Sequence, residues 1–253
     1  MKLIFMKCRK KSQTSDDKNA NRFRNVFANV LILVMLVSVF ALTYAGGVLN
    51  VFSSNDDGFA IYHGNTARSN VSLMINVYWG TEYIEPMLKV LEDNDAKCTF
   101  FVGGMWASKN GDLLSKIVEK GHELGNHGYY HKDHDKISGE KNEQEIYQTH
   151  QIVKSLTGVT MNLFAPPSGA YNQTTLDIAE KLGYHTIMWT KDTVDWRDKN
   201  TSIIYSRAIK NPKNGDLILM HPTKNTLEAL PDIIDFYKEA GFSLVTVGTN
   251  ILP

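Results

Sequence analysis

From Val71 to Val247 the sequence alternates short apolar runs with amphipathic stretches, and that rhythm leaves the chain few folds to choose from. The runs Ser72–Val77, Lys97–Val102, Glu123–Asn126, Asn162–Ala165, His185–Thr190, Asp216–Met220 and Ser243–Val247 read as strands. Between them Ile84, Met87, Leu88 and Leu91 recur at helical spacing, as do Leu113, Leu114, Ile117 and Val118. Ile146, Thr149, Val153 and Leu156 repeat the pattern, and so do Leu227, Leu230, Ile233, Ile234 and Tyr237. Gly121, Gly158, Gly183 and Gly241 stand where these helices should stop, as C-terminal capping glycines do. Strand–helix alternation implies parallel strands with right-handed crossovers. Seven strands predict an α/β domain, a distorted and incomplete (β/α)7 barrel, with an open doubly wound sheet as the alternative.

In a barrel of this kind the strand C-termini converge on one face, where function resides. The unusual polar and aromatic residues all follow strand ends. Asn76-Val77-Tyr78-Trp79-Gly80 closes the first strand and His127–His131 follows the third. Ala165-Pro166-Pro167-Ser168-Gly169-Ala170-Tyr171 follows the fourth, Asp192–Trp196 the fifth, and His221-Pro222 the sixth. His127 and His131, four residues apart, aim two imidazoles at one point on a helical turn or a tight loop. Neutral imidazole suits zinc, cobalt or nickel. On spacing alone the pair reads equally well as two solvated loop histidines; its place among the other clusters favours a binding face.

The N-terminal part has a different character. Lys2, Lys7, Arg9, Lys10, Lys11, Lys18, Arg22 and Arg24 outweigh Asp16 and Asp17, and an uncharged run follows from Val26 to Ala45. A run of about 20 apolar residues is the length a helix needs to cross a bilayer. The basic flank places the N-terminus in the cytoplasm and the chain from about residue 46 outside. Thr43-Tyr44-Ala45 is a poor cleavage site, which favours a single-pass signal anchor over a cleaved, secreted form. The expected organisation is a basic segment (1–25), a transmembrane helix (26–45), a linker rich in Gly, Asn, Ser and Asp (46–70) and one folded domain (71–253). Formal net charge is +0, so no basic face invites nucleic acid, and nothing pairs the two cysteines, Cys8 and Cys98.

At these motifs the chain resembles the NodB-homology polysaccharide deacetylases, carbohydrate esterase family 4, from about Val71 to Val247. His127-Gly128-Tyr129-Tyr130-His131 matches the family's His-x-x-x-His metal motif. Ala165-Pro166-Pro167-Ser168-Gly169 matches its Arg-Pro-Pro-x-Gly groove motif in all but the Arg. Asp195-Trp196 matches its Asp-Trp motif and Leu219-Met220-His221 its Leu-x-His motif. The resemblance implies a metal-dependent hydrolase of the amide bonds in N-acetylated cell-wall sugars, peptidoglycan or a related polymer. It implies a divalent metal, zinc or cobalt, on His127 and His131. It further implies His221 as the acid on the leaving amine, tuned by Asp195, and a groove formed by Tyr78, Trp79, Pro166, Pro167, Tyr171, Trp196 and Leu219.

The departures from that pattern are chemical. The family's first motif, Thr-Phe-Asp-Asp-Gly, supplies the base and a metal-binding Asp, whereas this chain has Met74-Ile75-Asn76-Val77-Tyr78. Asn76 stands at the position of the base and an amide takes no proton at neutral pH; Val77 or Tyr78 stands at the position of the metal Asp. Loss of a general base costs about 10²–10⁴ in rate. Asp133, His134 and Asp192 are the candidates to replace the missing ligand. Two functions are therefore expected in competition: an impaired or altered deacetylase, and an inactive wall-binding or scaffolding protein that keeps the fold. The text around Trp79-Gly80 resembles the sporulation-associated branch. Trp189 reads as core, His122 and His185 as structural, and His150 as solvated.

Overall fold

The computed structural model describes residues 26–35, 37 and 59–252. The chain divides into two units at Asp56/Asp57. Residues 26–35 and 37 are helical. Among the described residues no helix is long and apolar enough to cross a membrane; the rest of the expected anchor, and the basic segment before it, lie outside them.

The second unit is an α/β domain around one parallel sheet. In chain order it comprises β1 (Ala60–Ile61), β2 (Asn70–Val77), α1 (Thr81–Asp93), β3 (Thr99–Val102), α2 (Gly104–Ala107), α3 (Gly111–Glu119), β4 (Glu123–Asn126) and α4 (Gly139–Thr157). There follow β5 (Leu163–Phe164), α5 (Gln173–Lys181), β6 (His185–Ile187), β7 (Lys191–Asp192), α6 (Thr201–Ala208), β8 (Asp216–Met220), α7 (Lys224–Glu239), β9 (Ser243–Leu244) and α8 (Val247–Ile251). The strands run in the order β1-β6-β5-β4-β3-β2-β8-β7, every ladder being parallel. β9 pairs with Asn70 and Val71 at the start of β2, where β3 does not reach.

This is an open, curled sheet, a half-barrel. Its end strands β1 and β7 are two residues each, and among the described residues no ladder joins them. Two strands were not foreseen. β1 lies in the stretch expected to be linker, yet Ile61 and Ala60 pair with β6, and Gly64 N–H and Asn65 N–H donate to the carbonyls of Gly215 and Asn250. The folded unit thus begins before residue 70. β7 is a short edge strand in what read as a loop.

The helical stripes behave as their spacing demands. Ile84, Met87, Leu88 and Leu91 of α1 are fully enclosed, as are Leu230, Ile233, Ile234 and Tyr237 of α7. Burying each such side chain contributes about 1.5–3 kcal/mol. Leu156 is the exception: it lies in the last turn of α4 and is exposed. All four glycines expected to stop helices adopt positive φ.

Alternation along β2 sorts its side chains between two cores. Leu73, Ile75 and Val77 join the large core beneath the helices, while Met74 joins a small inner core with Phe101, Leu163, Ala165, Ile187, Leu217 and Val247. Because side chains alternate with period two, Asn76 follows Met74 onto the inner face, at the C-terminal mouth of the sheet.

Candidate functional site

At that mouth is a cleft of about 280 Å³, walled by Asn76, Tyr78, His127, His131, Trp196 and His221 among others. These walls come from the C-terminal ends of four strands, β2, β4, β7 and β8, as the alternation in sequence predicts. Of the two residues in question at the first motif, Val77 is sealed in the helix-side core and Tyr78 lines the cleft.

His127 leaves β4 and is buried. Its Nδ1 lies 2.7 Å from the Ala165 carbonyl oxygen, which can only accept, so Nδ1 carries the proton. Nε2 is then an unprotonated acceptor, and it is buried without a hydrogen-bond partner. Burial, reinforced by the neighbouring His131, holds the His127 pKa well below the ordinary imidazole range. His131, at φ 56°, is also shifted down, chiefly by burial. The two rings are 5.0 Å apart, centroid to centroid, and both are neutral at pH 7.

The loop that carries them is braced from below. Glu145 of α4 accepts hydrogen bonds from both Tyr129 N–H and Tyr130 N–H at 2.7 Å. His134, wholly buried, bonds to Asn142 through Nδ1, and Asn142 Nδ2 donates back to the His134 carbonyl oxygen at 2.9 Å. Nothing in the sequence pattern marks Glu145 as a brace, because its partners are backbone amides.

The opposite wall is a second polar unit. Asp195 Oδ1 accepts from His221 Nδ1 at 2.8 Å, and Oδ2 accepts from His221 N–H at 2.6 Å and from the Thr226 hydroxyl. Thr226 is held in place by the cap of α7, where the Thr223 hydroxyl accepts Thr226 N–H at 3.0 Å. Both Asp195 oxygens are occupied, so this carboxylate serves His221 and leaves the imidazole Nε2 for a ligand. Trp79 lies parallel to His221, 4° between planes and 6.1 Å between centroids. Gly80 permits that approach: at φ 74° it packs on Pro222, and a Cβ there would fall 2.1 Å from the Pro222 carbonyl oxygen.

The donor set does not fit a catalytic divalent metal, which takes three protein ligands and keeps a fourth position open. His127 and His131 offer two nitrogens. The third neighbour is Tyr78, its ring stacked on His131 at 3.7 Å, and the nearby Asn76 offers an amide. Among the described residues no group of three or more His, Cys, Asp or Glu converges as a metal site. The expected substitutes fail for specific reasons. Asp133 is paired with Lys136 at 2.7 Å, and His134 is committed to Asn142 beneath the loop. Asp192 reaches the cleft without joining the imidazoles.

Of the residues expected in a groove, Tyr78, Trp79, Trp196 and Leu219 line the cleft. Pro166, Pro167 and Tyr171 do not; Ser168 and Gly169 do so in their place, and the Tyr171 hydroxyl bonds to that of Tyr62 at 2.7 Å. Trp189, read as core, packs partly on the inner core and also reaches the cleft. His150 is not simply solvated, since its Nδ1 meets the Tyr184 hydroxyl. His122 is buried and His185 exposed.

The cleft opens at the C-terminal edge of a curled parallel sheet and is lined by aromatic rings and by His221, which the buried Asp195 holds from behind. The polysaccharide deacetylase profile matches residues 63–187. The Bacillus subtilis protein YlxY is 40% identical over 74% of this chain and 59% of its own length. This chain therefore spans less than two thirds of that relative. A Bacillus cereus peptidoglycan-N-acetylglucosamine deacetylase is 32% identical over 65% of this chain and 80% of its own. Among solved structures, a family 4 pseudoenzyme from Bacillus anthracis is 33% identical with a TM-score of 0.75, covering 77% of this chain and 69% of that one. A mutant of it with restored enzymatic activity aligns with the same TM-score of 0.75. The chain belongs to the polysaccharide deacetylase family. That family holds both peptidoglycan deacetylases and a pseudoenzyme.

Proposed function

We propose that this domain binds an N-acetylated cell-wall glycan, peptidoglycan or a related polymer, without deacetylating it. One observation carries the reading: the side of the cleft where the family's base and metal Asp belong presents an amide, Asn76, and a Tyr78 ring lying on His131. Neither group takes a proton from water at neutral pH, and neither replaces a charged ligand. The aromatic walls remain. Tyr78 is 42% and Trp196 54% exposed, flat apolar faces of the kind on which sugar rings stack. The uncharged run 26–45 and its basic flank support a place at the cell membrane with the domain outside the cytoplasm. The Trp79-Gly80 text supports a sporulation setting.

A second reading, slow deacetylation, rests on the intact His221–Asp195 pair, which is built to protonate a leaving amine. One preparation of the full chain separates the two. It is given acetylated peptidoglycan with zinc or cobalt, and polymer retention and released acetate are measured together. The binding reading expects retention that survives His127→Ala and no acetate above a protein-free control. Acetate release that vanishes in His127→Ala overturns it in favour of the second.

A further inference from the structure

A larger cleft, about 510 Å³, adjoins the glycan site. Asp192 of the edge strand β7 lines both, so the two clefts meet at that residue. The walls of the larger cleft are basic: Lys191, Arg207, Lys210 and Lys213 face two carboxylates, Asp192 and Asp216, four charges against two.

Internal pairing shows which of these charges are spent. The Asp216 carboxylate is paired with the half-buried Lys191 ammonium and also accepts Lys213 N–H at 2.8 Å. Arg207 pairs with Asp198 at 2.7 Å and donates to the Thr193 carbonyl oxygen at 3.0 Å. Lys210 and Lys213 remain. Both are exposed, and no carboxylate of the described residues pairs with either ammonium. Of the lining carboxylates only Asp192 lacks a cation partner, and it stands on the wall shared with the glycan site, accepting Val194 N–H at 2.8 Å.

We infer that this cleft takes an anionic substituent, a carboxylate, carried by the same glycan strand that occupies the neighbouring site. The inference rests on the glycan-binding reading and adds the class of glycan. Two lysines without partners in a cleft wide enough for a sugar substituent attract negative charge without demanding a fixed geometry. Each contact is weak and screened by salt, and on a polymer bearing the anion at every repeat the contacts accumulate. Peptidoglycan strands carry peptide carboxylates beside their N-acetyl groups, whereas chitin carries none. The cleft therefore discriminates between two polymers that the first site alone treats alike.

The test uses the full chain in mild detergent, with Lys210→Glu/Lys213→Glu and a charge-matched control, Lys109→Glu/Lys154→Glu, placed on other surfaces. Binding is measured to chitin, to peptidoglycan, to the same peptidoglycan after amidation of its carboxylates, and to polyglycerol phosphate. The expected result is a loss of roughly tenfold on peptidoglycan for the Lys210/Lys213 variant alone, with a shallower salt dependence. Chitin and amidated peptidoglycan should bind the wild type and this variant equally. Unchanged peptidoglycan binding by the variant, or an equal loss on chitin, overturns the inference. A variant effect confined to polyglycerol phosphate overturns the carboxylate assignment. Failure of the wild type to bind chitin and amidated peptidoglycan counts against the glycan site itself, whatever the lysine variant does.

Discussion

Tyr78 lies over His131, ring centroids 3.7 Å apart and planes 24° from parallel. The stack sets an aromatic ring against the His127–His131 pair and covers His131, and no carboxylate stands beside that pair among the described residues. Replacing that ring and the neighbouring amide by carboxylates should therefore create the missing donors. In Asn76→Asp/Tyr78→Asp, zinc or cobalt affinity is expected to rise by roughly tenfold or more over wild type, measured by calorimetric titration. Equal affinities in the two proteins would mean that Tyr78 does not occupy the ligand position.

Trp196 is the most exposed aromatic of the cleft, and its side chain supports little of the core. Trp196→Ala is expected to weaken polymer retention several-fold while folding stability changes by less than about 0.5 kcal/mol. Sedimentation with insoluble glycan and a thermal melt, run side by side, check both halves. A large drop in melting temperature would show the ring to be structural.

Glu145 presents the opposite case, a buried residue outside the cleft lining. Glu145→Ala leaves the Tyr129 and Tyr130 amides without their acceptor, at a cost of about 1–3 kcal/mol for each unsatisfied group. Glu145→Gln keeps an acceptor oxygen and should recover much of that stability. Denaturant unfolding of the three proteins gives the order, wild type above Gln above Ala; an Ala variant as stable as wild type would remove the brace from the account.

Two histidines away from the cleft make the domain sensitive to acid. Burial pushes the pKa of His122 down to about 4, aided by Lys97 and Lys120, and burial likewise pushes His134 down to about 4 against the Asn142 hydrogen bond. A depressed imidazole pKa means that the unfolded chain takes up the proton first. Their contribution is intact above pH 6.5, the unfolded value, and is lost as pH falls from there toward 4. Melting temperature should drop over that window, with uptake of about two protons on unfolding near pH 5 from this pair. Calorimetry in buffers of different ionisation enthalpy reads the uptake, and a flat melting temperature from pH 7 to 4.5 would refute the assignment.

Period and punctuation in the chain were enough to place the long helices, the parallel strands and the gathering of His127, His131, Asp195 and His221 at one mouth, because repeats of 3.6 and 2.0 residues set which face each side chain takes. That Asn76 supplies no base was equally legible, since an amide lacks that chemistry in any fold. Folding was needed for everything that depends on partners distant in sequence. The two-residue strands β1 and β7 carry no periodic signal and exist through their neighbours β6 and β8. The choice between Val77 and Tyr78 turned on which side of β2 faces the mouth. The brace at Glu145 joins backbone amides 15 and 16 residues away, and the basic cleft brings Lys191 together with residues 207–216 across the edge of the sheet. Local pattern sets secondary structure and side-chain direction; contacts between distant segments are set by how the elements pack, and the site is made of such contacts.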